Sequence, residues 1–379
     1  MPRVPSSASD FAACARCGYC NAVCPTYAVL GWESASPRGR LRAAAEGRRD
    51  LAAAGRRYDC TLCGRCARVC PVDYDLPALW HHLRGKAVEA ATAPPFVERL
   101  ARTVDAAKNV FDLPNDERAE WVAFMTDAPA DAFTRPRAEV LYFVGCVSSF
   151  SPAVQGIPQD FARLLTAAGV DFTLAGGEEW CCGFPLRVAG LAPQTEALRR
   201  HNLERLAAIG AHTVVFTCPS CLREWREHYG VTQVELLSAA EFLDALVQKG
   251  RLALGPLNLN VTYHDPCDLG RGCGVFEAPR RLLAAVPGLK LGELPEHHLD
   301  GVCCGGGGDF EMRDAAAAGE VAAGLARMVR ETAPQAVATA CPQCQRMLQE
   351  GLHRLGEELP VWDLVQILQR SRQEGSSNG

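Results

Sequence analysis

The chain beyond residue 138 alternates short apolar runs with longer amphipathic stretches. Runs rich in apolar, β-branched and aromatic residues are typical of buried parallel strands, whereas apolar residues three and four positions apart are typical of helices. The predicted strands are 139–144, 170–174, 213–217, 260–266, 289–294 and 336–340, and the predicted helices are 157–169, 190–209, 276–286, 310–331, 344–355 and 362–370. Because this order occurs twice, we expect two homologous α/β modules, 138–256 and 257–370.

Cysteines follow these predicted strands at matching positions in both modules. Each set has one cysteine after the first strand, an adjacent pair followed by glycine (Gly183 or Gly305), and a closing Cys-Pro-x-Cys. The first set is Cys146, Cys181, Cys182, Cys218 and Cys221, and the second is Cys267, Cys303, Cys304, Cys341 and Cys344. Since the carboxyl ends of parallel strands meet at one edge of a sheet, each set predicts a metal centre there.

The first 86 residues carry a different cysteine pattern, Cys-x2-Cys-x2-Cys-x3-Cys-Pro, which also occurs twice. This is the spacing of two-cluster ferredoxins, in which the fourth cysteine of each run binds the other cubane [4Fe–4S] cluster. One predicted cluster is held by Cys14, Cys17, Cys20 and Cys70, and the other by Cys60, Cys63, Cys66 and Cys24. The alternative is that the paired CxxC units bind zinc ions instead of cubane clusters.

Turn and helix signals fill the 35 residues between the two runs, where Pro-Arg-Gly-Arg precedes an Ala- and Arg-rich segment. This arrangement is similar to the α-helical ferredoxin of succinate dehydrogenase iron–sulfur subunits. Its arginines offset cluster charge, dock an acidic partner or form a solvated helix face. These residues are Arg38, Arg40, Arg42, Arg48, Arg49, Arg56 and Arg57. Residues 87–137 are predicted to be a helical connector without visible chemistry, and 371–379 a disordered tail.

Composition restricts the class of protein. The 379 residues have a formal net charge of −5, too weak for a nucleic-acid binder, although residues 1–86 alone carry +6. No run is long and apolar enough for a membrane span, and the N-terminus lacks the apolar stretch of a signal peptide. Nineteen cysteines without an export signal indicate metal ligation in a reducing, cytoplasmic compartment, against the alternative of a secreted disulfide protein.

With these motifs in place, the chain resembles the fused iron–sulfur subunits of the heterodisulfide reductase family, in which a ferredoxin precedes paired cysteine-rich domains of the CCG type. The segment from His264 to Arg271 also resembles the family sequence at the start of the second module. Related iron–sulfur subunits occur in glycolate oxidase, anaerobic glycerol-3-phosphate dehydrogenase and lactate-utilisation proteins. The resemblance implies a pseudo-twofold pair of modules, each binding a non-cubane [4Fe–4S] cluster through five thiolates, although one site could hold zinc instead.

The function expected from this resemblance is that of an iron–sulfur oxidoreductase subunit. Electrons would pass between the ferredoxin cubanes and the two module sites, which could reduce a small disulfide with Cys182, Cys304 and His264 as catalytic residues. One alternative is an electron relay without its own substrate, which would serve a flavin dehydrogenase, an electron-transferring flavoprotein or a larger reductase. The other alternative is an interaction module stabilised by zinc. Any flavin, and any membrane link, would belong to a partner subunit.

Several residues have weaker signals in the sequence. Cys273 lies outside both sets and is either a small apolar filler or a ligand. His264, His297 and His298 are either proton donors near a cluster or ordinary hydrogen-bonded histidines. The run Gly305–Gly308 would let the backbone pass close to inorganic sulfide; it lacks the lysine and the flanking pattern of a phosphate-binding loop.

Overall fold

The computed structural model describes residues 4, 11, 13–47, 55–125 and 130–377, and these form a helical N-terminal part followed by two parallel sheets. Each sheet has four strands, in the orders β2-β1-β3-β4 and β6-β5-β7-β8. The strands are β1 Val140–Phe143, β2 Phe172–Thr173, β3 Thr213–Phe216, β4 Glu235–Ser238, β5 Asn260–Tyr263, β6 Lys290–Glu293, β7 Ala336–Thr339 and β8 Val361–Asp363. The predicted pair of α/β modules is therefore confirmed.

Helices cover the faces of both sheets and build the N-terminal part. Before β1 they are α1 Tyr19–Ala22, α2 Pro25–Leu30, α3 Pro37–Ala45, α4 Arg65–Arg68, α5 Leu76–Glu89 and α6 Pro95–Ala107. In the first module they are α7 Cys146–Phe150, α8 Gly156–Ala167, α9 Phe184–Val188, α10 Thr195–Ile209, α11 Pro219–His228 and α12 Ala239–Gln248. In the second they are α13 Glu277–Ala284, α14 Phe310–Arg313, α15 Ala315–Glu331, α16 Pro342–Arg354 and α17 Leu364–Ser377.

Shorter helical segments complete the connections. Six described 3₁₀ segments before the second sheet are Glu33–Ala35, Asn115–Phe124, Ala130–Phe133, Pro152–Val154, Gly176–Glu178 and Ala192–Gln194. A π-helical turn, Asp268–Gly272, follows β5, and a 3₁₀ turn, His298–Asp300, follows β6. Within the described ranges, no helix is both long and apolar enough to cross a membrane.

The central strands are buried on both faces, which explains their continuous apolar sequences. In β1, Val140 and Tyr142 belong to one core cluster while Leu141 and Phe143 belong to another. The first of these clusters extends through both modules, because it also contains β5 residues such as Tyr263. The two sheets are thus joined by one continuous hydrophobic core.

Packing of helices between the modules is reciprocal. Helix α8, which precedes the second strand of the first module, packs against α17, the last helix of the second. Its counterpart in the second module, α13, packs against α12, the last helix of the first. This exchange of equivalent contacts is the signature of a pseudo-twofold axis, as the resemblance implied.

Arg84 of α5 fixes the helical N-terminal part against both modules. Its fully buried guanidinium donates to the carbonyl oxygens of Val188 at 2.8 Å and Gly308 at 3.0 Å, one from each module. It also donates to the Cys60 and Arg57 carbonyls at 2.9 Å and 3.0 Å. Since buried carbonyls need partners, this one side chain ties three parts of the chain together.

Several predicted elements differ from those observed. The predicted tail is wrong over 371–377, because α17 continues to Ser377 and Ser371 is buried with its hydroxyl bonded to the Leu368 carbonyl. The predicted helix 310–331 is broken at Asp314, whose carboxylate caps α15. Strands β4 and β8 were not predicted. Residues 48, 49, 378 and 379 lie outside the described part of the chain, and the predicted domain boundaries stay predictions.

Candidate iron–sulfur sites and the cleft between the modules

Cys14, Cys17, Cys20 and Cys70 surround one small cavity, which we call the outer ferredoxin site. These are the four cysteines that the crossover spacing predicts, three from the first run and one from the second. Cys17 is exposed and the other three are half-buried. The outer ferredoxin site therefore lies close to solvent, where a redox partner can approach.

Cys24, Cys60, Cys63 and Cys66 surround a second cavity, the inner ferredoxin site, and all four are buried. Arg40 lines the same cavity; one Nη of its buried guanidinium donates to the Asp59 carbonyl, while Nε and the other Nη have no protein partner. A buried guanidinium with free N–H groups needs an acceptor, and a negatively charged, thiolate-bound cluster is suited to provide one. The donor set and Arg40 thus fit an iron–sulfur cluster.

The two Cys-x2-Cys loops have the same backbone conformation. Gly18 and Gly64, each directly after the second cysteine of its run, have φ of 84° and 82° and precede the short helices α1 and α4. Arg16 and Leu62, two residues earlier, also have positive φ, 55° in each case. Alternating left-handed residues curl the loop so that successive cysteines converge on one cavity.

Replacing Cys70 with serine should disturb the outer ferredoxin site, because Cys70 lines that cavity although it lies nearest in sequence to Cys60–Cys66. Electron paramagnetic resonance of the dithionite-reduced protein would show one of two cubane signals lost or altered. Cys24→Ser is the matched substitution and should affect the other signal. Loss of the same signal in both variants would contradict the crossover.

The first cysteine-rich site consists of Cys146, Cys181, Cys182, Cys218 and Cys221. Arg118, from the connector, donates to Glu179 at 2.9 Å and approaches the Cys146 sulfur at 3.6 Å, and both charged residues are buried. Glu179 also accepts from the backbone N–H groups of Val144 and Gly145 at 2.8 Å and 2.9 Å. This network fixes the loop that carries Cys146. Burial raises the pKa of Glu179 against the lowering effect of Arg118.

The second cysteine-rich site consists of Cys267, Cys303, Cys304, Cys341 and Cys344, with the Cys304 and Cys344 sulfurs 3.2 Å apart. Cys303 faces the inner ferredoxin site: hydrogen bonding with Cys303 raises the pKa of Cys63 well above the ordinary thiol value. Arg271 strengthens this junction by donating to the Cys63 carbonyl at 2.6 Å and the Gly301 carbonyl at 2.9 Å. The inner ferredoxin site and the second cysteine-rich site are therefore immediate neighbours.

Both cysteine-rich sites open into one cavity of about 290 Å³, which we call the cleft. Its wall contains all five cysteines of the first set and four of the second, with Cys303 as the exception. Apolar side chains, including Phe111, Val147 and Met312, and the acids Asp268, Asp309 and Glu311 complete the wall. The metal centres themselves would fill part of this space, so the arrangement brings the two centres to one shared opening.

The glycines after the cysteine pairs turn the backbone against neighbouring segments. Gly183 and Gly305 adopt left-handed φ of 96° and 93°, and a Cβ at Gly305 would lie 2.7 Å from the Ala318 carbonyl oxygen. They allow a tight turn against the following helix. A Cβ at Gly308 would lie 2.5 Å from the Cys60 carbonyl oxygen. The last glycine of the run therefore packs directly on the ferredoxin backbone. This contact alone explains why position 308 is a glycine.

His264 is buried outside the lining of the cleft. Its Nε2 bonds the Val302 carbonyl at 3.0 Å and its Nδ1 lies 3.3 Å from the Thr339 hydroxyl. Burial lowers the pKa of His264 to about 4, so the ring is neutral near pH 7. These contacts indicate that His264 is an ordinary hydrogen-bonded histidine at the end of a strand, and they do not favour a role as proton donor.

The other weak candidates also lie away from the cleft lining. His297 and His298 contact each other, and His298 reaches Glu277 at 3.1 Å. Cys273 is half-buried against the hydrophobic cores, where burial raises its pKa to about 12. This placement is that of a small apolar filler.

Sequence reasoning missed Arg118, Asn115 and Asp309. Asn115 accepts from Arg118 at 3.1 Å and donates to the Glu179 carbonyl at 3.0 Å, although the connector showed no chemical motif. Asp309 follows the glycine run and lines the cleft. Arg118 and Asn115 contact a segment distant in sequence, and Asp309 reaches the cleft only through the fold, so a spacing pattern could not have indicated them.

Comparison with known families agrees with these sites. A 4Fe–4S dicluster domain model matches residues 10–74, and a cysteine-rich domain model, named CCG, matches residues 140–224 and 261–349. The matched ranges contain every cysteine of the four sites.

Known relatives include chains of several reductases. The chain is 31% identical to a subunit of dihydromethanophenazine:CoB–CoM heterodisulfide reductase of Methanosarcina barkeri, over 94% of this chain and 92% of the relative. It is 30% identical to a subunit of fumarate reductase (CoM/CoB) of Methanothermobacter marburgensis, over 82% of this chain and 60% of that protein. It is 27% identical to EtfAB:quinone oxidoreductase of Syntrophomonas wolfei, over 82% of this chain and 46% of the relative.

Proposed function

Because the chain belongs to the heterodisulfide reductase family of iron–sulfur subunits, we propose that it reduces a small disulfide in the cleft between its two cysteine-rich modules. The chain is an iron–sulfur electron-transfer subunit of the heterodisulfide reductase type. The disulfide substrate and the catalytic role of this subunit are the proposed part.

One observation carries the proposal: cysteines of both modules line the same cleft. A disulfide has two sulfur atoms, and two metal centres held by the pseudo-twofold pair of cysteine sets would offer one reactive position to each. Bond cleavage needs the reacting atoms in near contact, which a shared cavity allows and two separate sites would not. Cys182 and Cys304, the second members of the adjacent pairs, are our proposed catalytic cysteines.

We propose that electrons enter at the outer ferredoxin site and pass through the inner site to the second cysteine-rich site. The exposure of Cys17 supports entry at the outer site, and the interaction of Cys63 with Cys303 supports the inner step. When bound, iron–sulfur clusters carry electrons at potentials that their surroundings set. The protein holds the thiols in place and, at the inner site, supplies the Arg40 guanidinium.

Cubane clusters in the ferredoxin sites and non-cubane [4Fe–4S] clusters in the cysteine-rich sites are our proposed cofactors. Among the described residues, no three Cys, His, Asp or Glu side chains converge as ligands of a single ion. Thiolates bound to different irons of one cluster are spread farther apart than the four ligands of one zinc. The matched dicluster and cysteine-rich domain models therefore support clusters over zinc.

The proposed partner is a flavoprotein or another redox subunit that docks beside the outer ferredoxin site. Tyr19 and Trp32 are large apolar residues left 60% and 50% exposed in this part of the chain. Arg42 is exposed nearby on α3, and its charge suits an acidic partner surface. Relatives are subunits of reductase complexes, which supports a multi-subunit assembly.

Anaerobically purified protein should contain about sixteen irons and sixteen sulfides per chain, four for each of four clusters. Chemical analysis of iron and acid-labile sulfide measures this directly. About eight irons with one or two zincs would mean that the cysteine-rich sites do not hold iron clusters.

The proposed function itself is tested by supplying the protein with a reduced viologen and a panel of small disulfides. Oxidation of the viologen with release of two thiols per disulfide supports it. If no disulfide is consumed, while a flavoprotein or quinone acceptor is reduced, the chain is an electron relay without its own substrate.

A further inference from the structure

We infer that Asp309 donates a proton to the substrate sulfur in the cleft, an inference that rests on the proposed disulfide reduction. Reducing a disulfide breaks one S–S bond, consumes two electrons and two protons, and forms two thiols. The ferredoxin sites receive the electrons from the partner. Asp309 supplies one proton and solvent water supplies the other, and the Asp309 carboxylate then recovers its proton from water.

Asp309 differs from the other acids in the cleft wall by its lack of partners. Asp268 is bound by Ser220 at 2.6 Å and Arg223 at 3.1 Å, and Glu311 is held by Arg346 and Gln343. Asp309 is 9% exposed, and its Oδ2 has no protein hydrogen-bond partner. A buried carboxyl without a partner is destabilised when charged, so it keeps a proton that it can transfer.

The electrostatic surroundings place this proton in the useful range. Burial raises the pKa of Asp309 to about 7, while the charge of Arg84 lowers it. Tyr58 is the other titratable group from the ferredoxin part that interacts with Asp309. On its own short helix, Glu311 pairs with Arg346 and Arg313 pairs with Asp59, so both are engaged elsewhere. A general acid works best when its pKa lies near the working pH.

Asp309 also lies at the junction between electron supply and cleft. It directly follows Gly308, whose carbonyl accepts from Arg84 and whose backbone packs on Cys60 of the inner ferredoxin site. The same segment therefore reaches the ferredoxin on one side and the cleft on the other.

Asp309→Asn tests the inference, because asparagine has the same shape and tolerates the left-handed φ of 56° found here. Disulfide reduction by the loaded protein should fall about 100-fold. In the wild type, the rate of disulfide reduction should be maximal below about pH 7 and should fall at higher pH, because the carboxyl loses its proton. The rate of the variant should not show this fall. The matched control is Asp314→Asn, an exposed carboxyl whose capping role asparagine preserves.

A second measurement is independent of activity. Isotope-edited infrared spectroscopy with ¹³C-aspartate should show protonated carboxyls that titrate near pH 7 in the wild-type protein. Asp363 is also buried with its pKa raised to about 7, so it contributes to this signal. The contribution of Asp309 is therefore the difference between the wild-type spectrum and the Asp309→Asn spectrum. An Asp314→Asn spectrum should match the wild type.

The outcomes separate the inference from the proposed function. A wild-type protein that reduces no disulfide overturns the proposed function and this inference with it. An active wild type whose Asp309→Asn variant keeps both the rate and the pH profile overturns the Asp309 assignment alone. An unchanged infrared titration in the variant also overturns it, because Asp309 would then not hold a proton near pH 7.

Discussion

Cys304→Ala should abolish disulfide reduction while leaving both ferredoxin sites reducible. Cys304 lines the cleft and lies 3.2 Å from Cys344, so its loss removes one thiolate of the second cysteine-rich site at the face where we propose that the disulfide binds. The ferredoxin ligands line separate cavities. Stopped-flow reduction by dithionite, followed by the visible spectrum, would report the ferredoxin sites, and thiol release would report the reaction.

Cys182→Ala should have the same effect, since Cys182 has the equivalent place in the first module and also lines the cleft. The matched control is Cys273→Ala, which removes a half-buried thiol outside both sets and should retain disulfide reduction. A Cys182→Ala protein that still reduces disulfides at the wild-type rate would show that a single cysteine-rich site is sufficient. The shared-cleft mechanism would then be wrong.

Arg84→Met should lower the free energy of unfolding by about 3 kcal/mol, because it leaves several buried carbonyls without a donor. The four acceptors belong to the ferredoxin part and to both modules, so the ferredoxin part should also detach more readily. Anaerobic urea unfolding followed by tryptophan fluorescence measures the stability. Resistance of the segment around residue 84 to protease measures how firmly the ferredoxin part is held against the two modules.

Arg42→Met is the matched control for this prediction. Arg42 pairs with Glu46 at 2.7 Å on the surface and its side chain is 80% exposed, so its loss should leave the urea midpoint close to that of the wild type. If Arg84→Met and Arg42→Met unfold at the same urea concentration, the prediction is wrong. The carbonyls around Arg84 would then have found other hydrogen-bond donors.

The positions of the metal ligands could be predicted from sequence because they depend on local spacing. Cysteines such as Cys14, Cys17 and Cys20 are brought together by one loop, and the parallel strands align Cys146 with Cys218 at one sheet edge. The central strands were also predictable, since burial on both faces gives them continuous apolar residues. Strand β4 begins with an exposed glutamate and β8 has three residues, so neither has a comparable pattern.

Contacts between segments could not be predicted in the same way. Arg84 occurs in an ordinary helical sequence, and nothing local shows that its guanidinium will be buried among four carbonyls. Arg118 belongs to a connector without a chemical motif, and its contacts with Glu179 and Cys146 join segments that are distant in sequence. His264 shows the opposite case: its position three residues before Cys267 suggested chemistry, but the fold directs its ring nitrogens to Val302 and Thr339.

The reciprocal packing of α8 on α17 and α13 on α12 has an evolutionary consequence. Two identical single-module chains could form the same contacts as a symmetric homodimer, because a twofold interface is self-complementary. Gene duplication and fusion would preserve that interface and free each half to change. The halves have indeed diverged: Arg118 serves the first, whereas Cys303 and the glycine run of the second contact the ferredoxin. Fusion thus converts a symmetric pair into an asymmetric one, in which the second half contacts the inner ferredoxin site and the first half faces the second across the cleft.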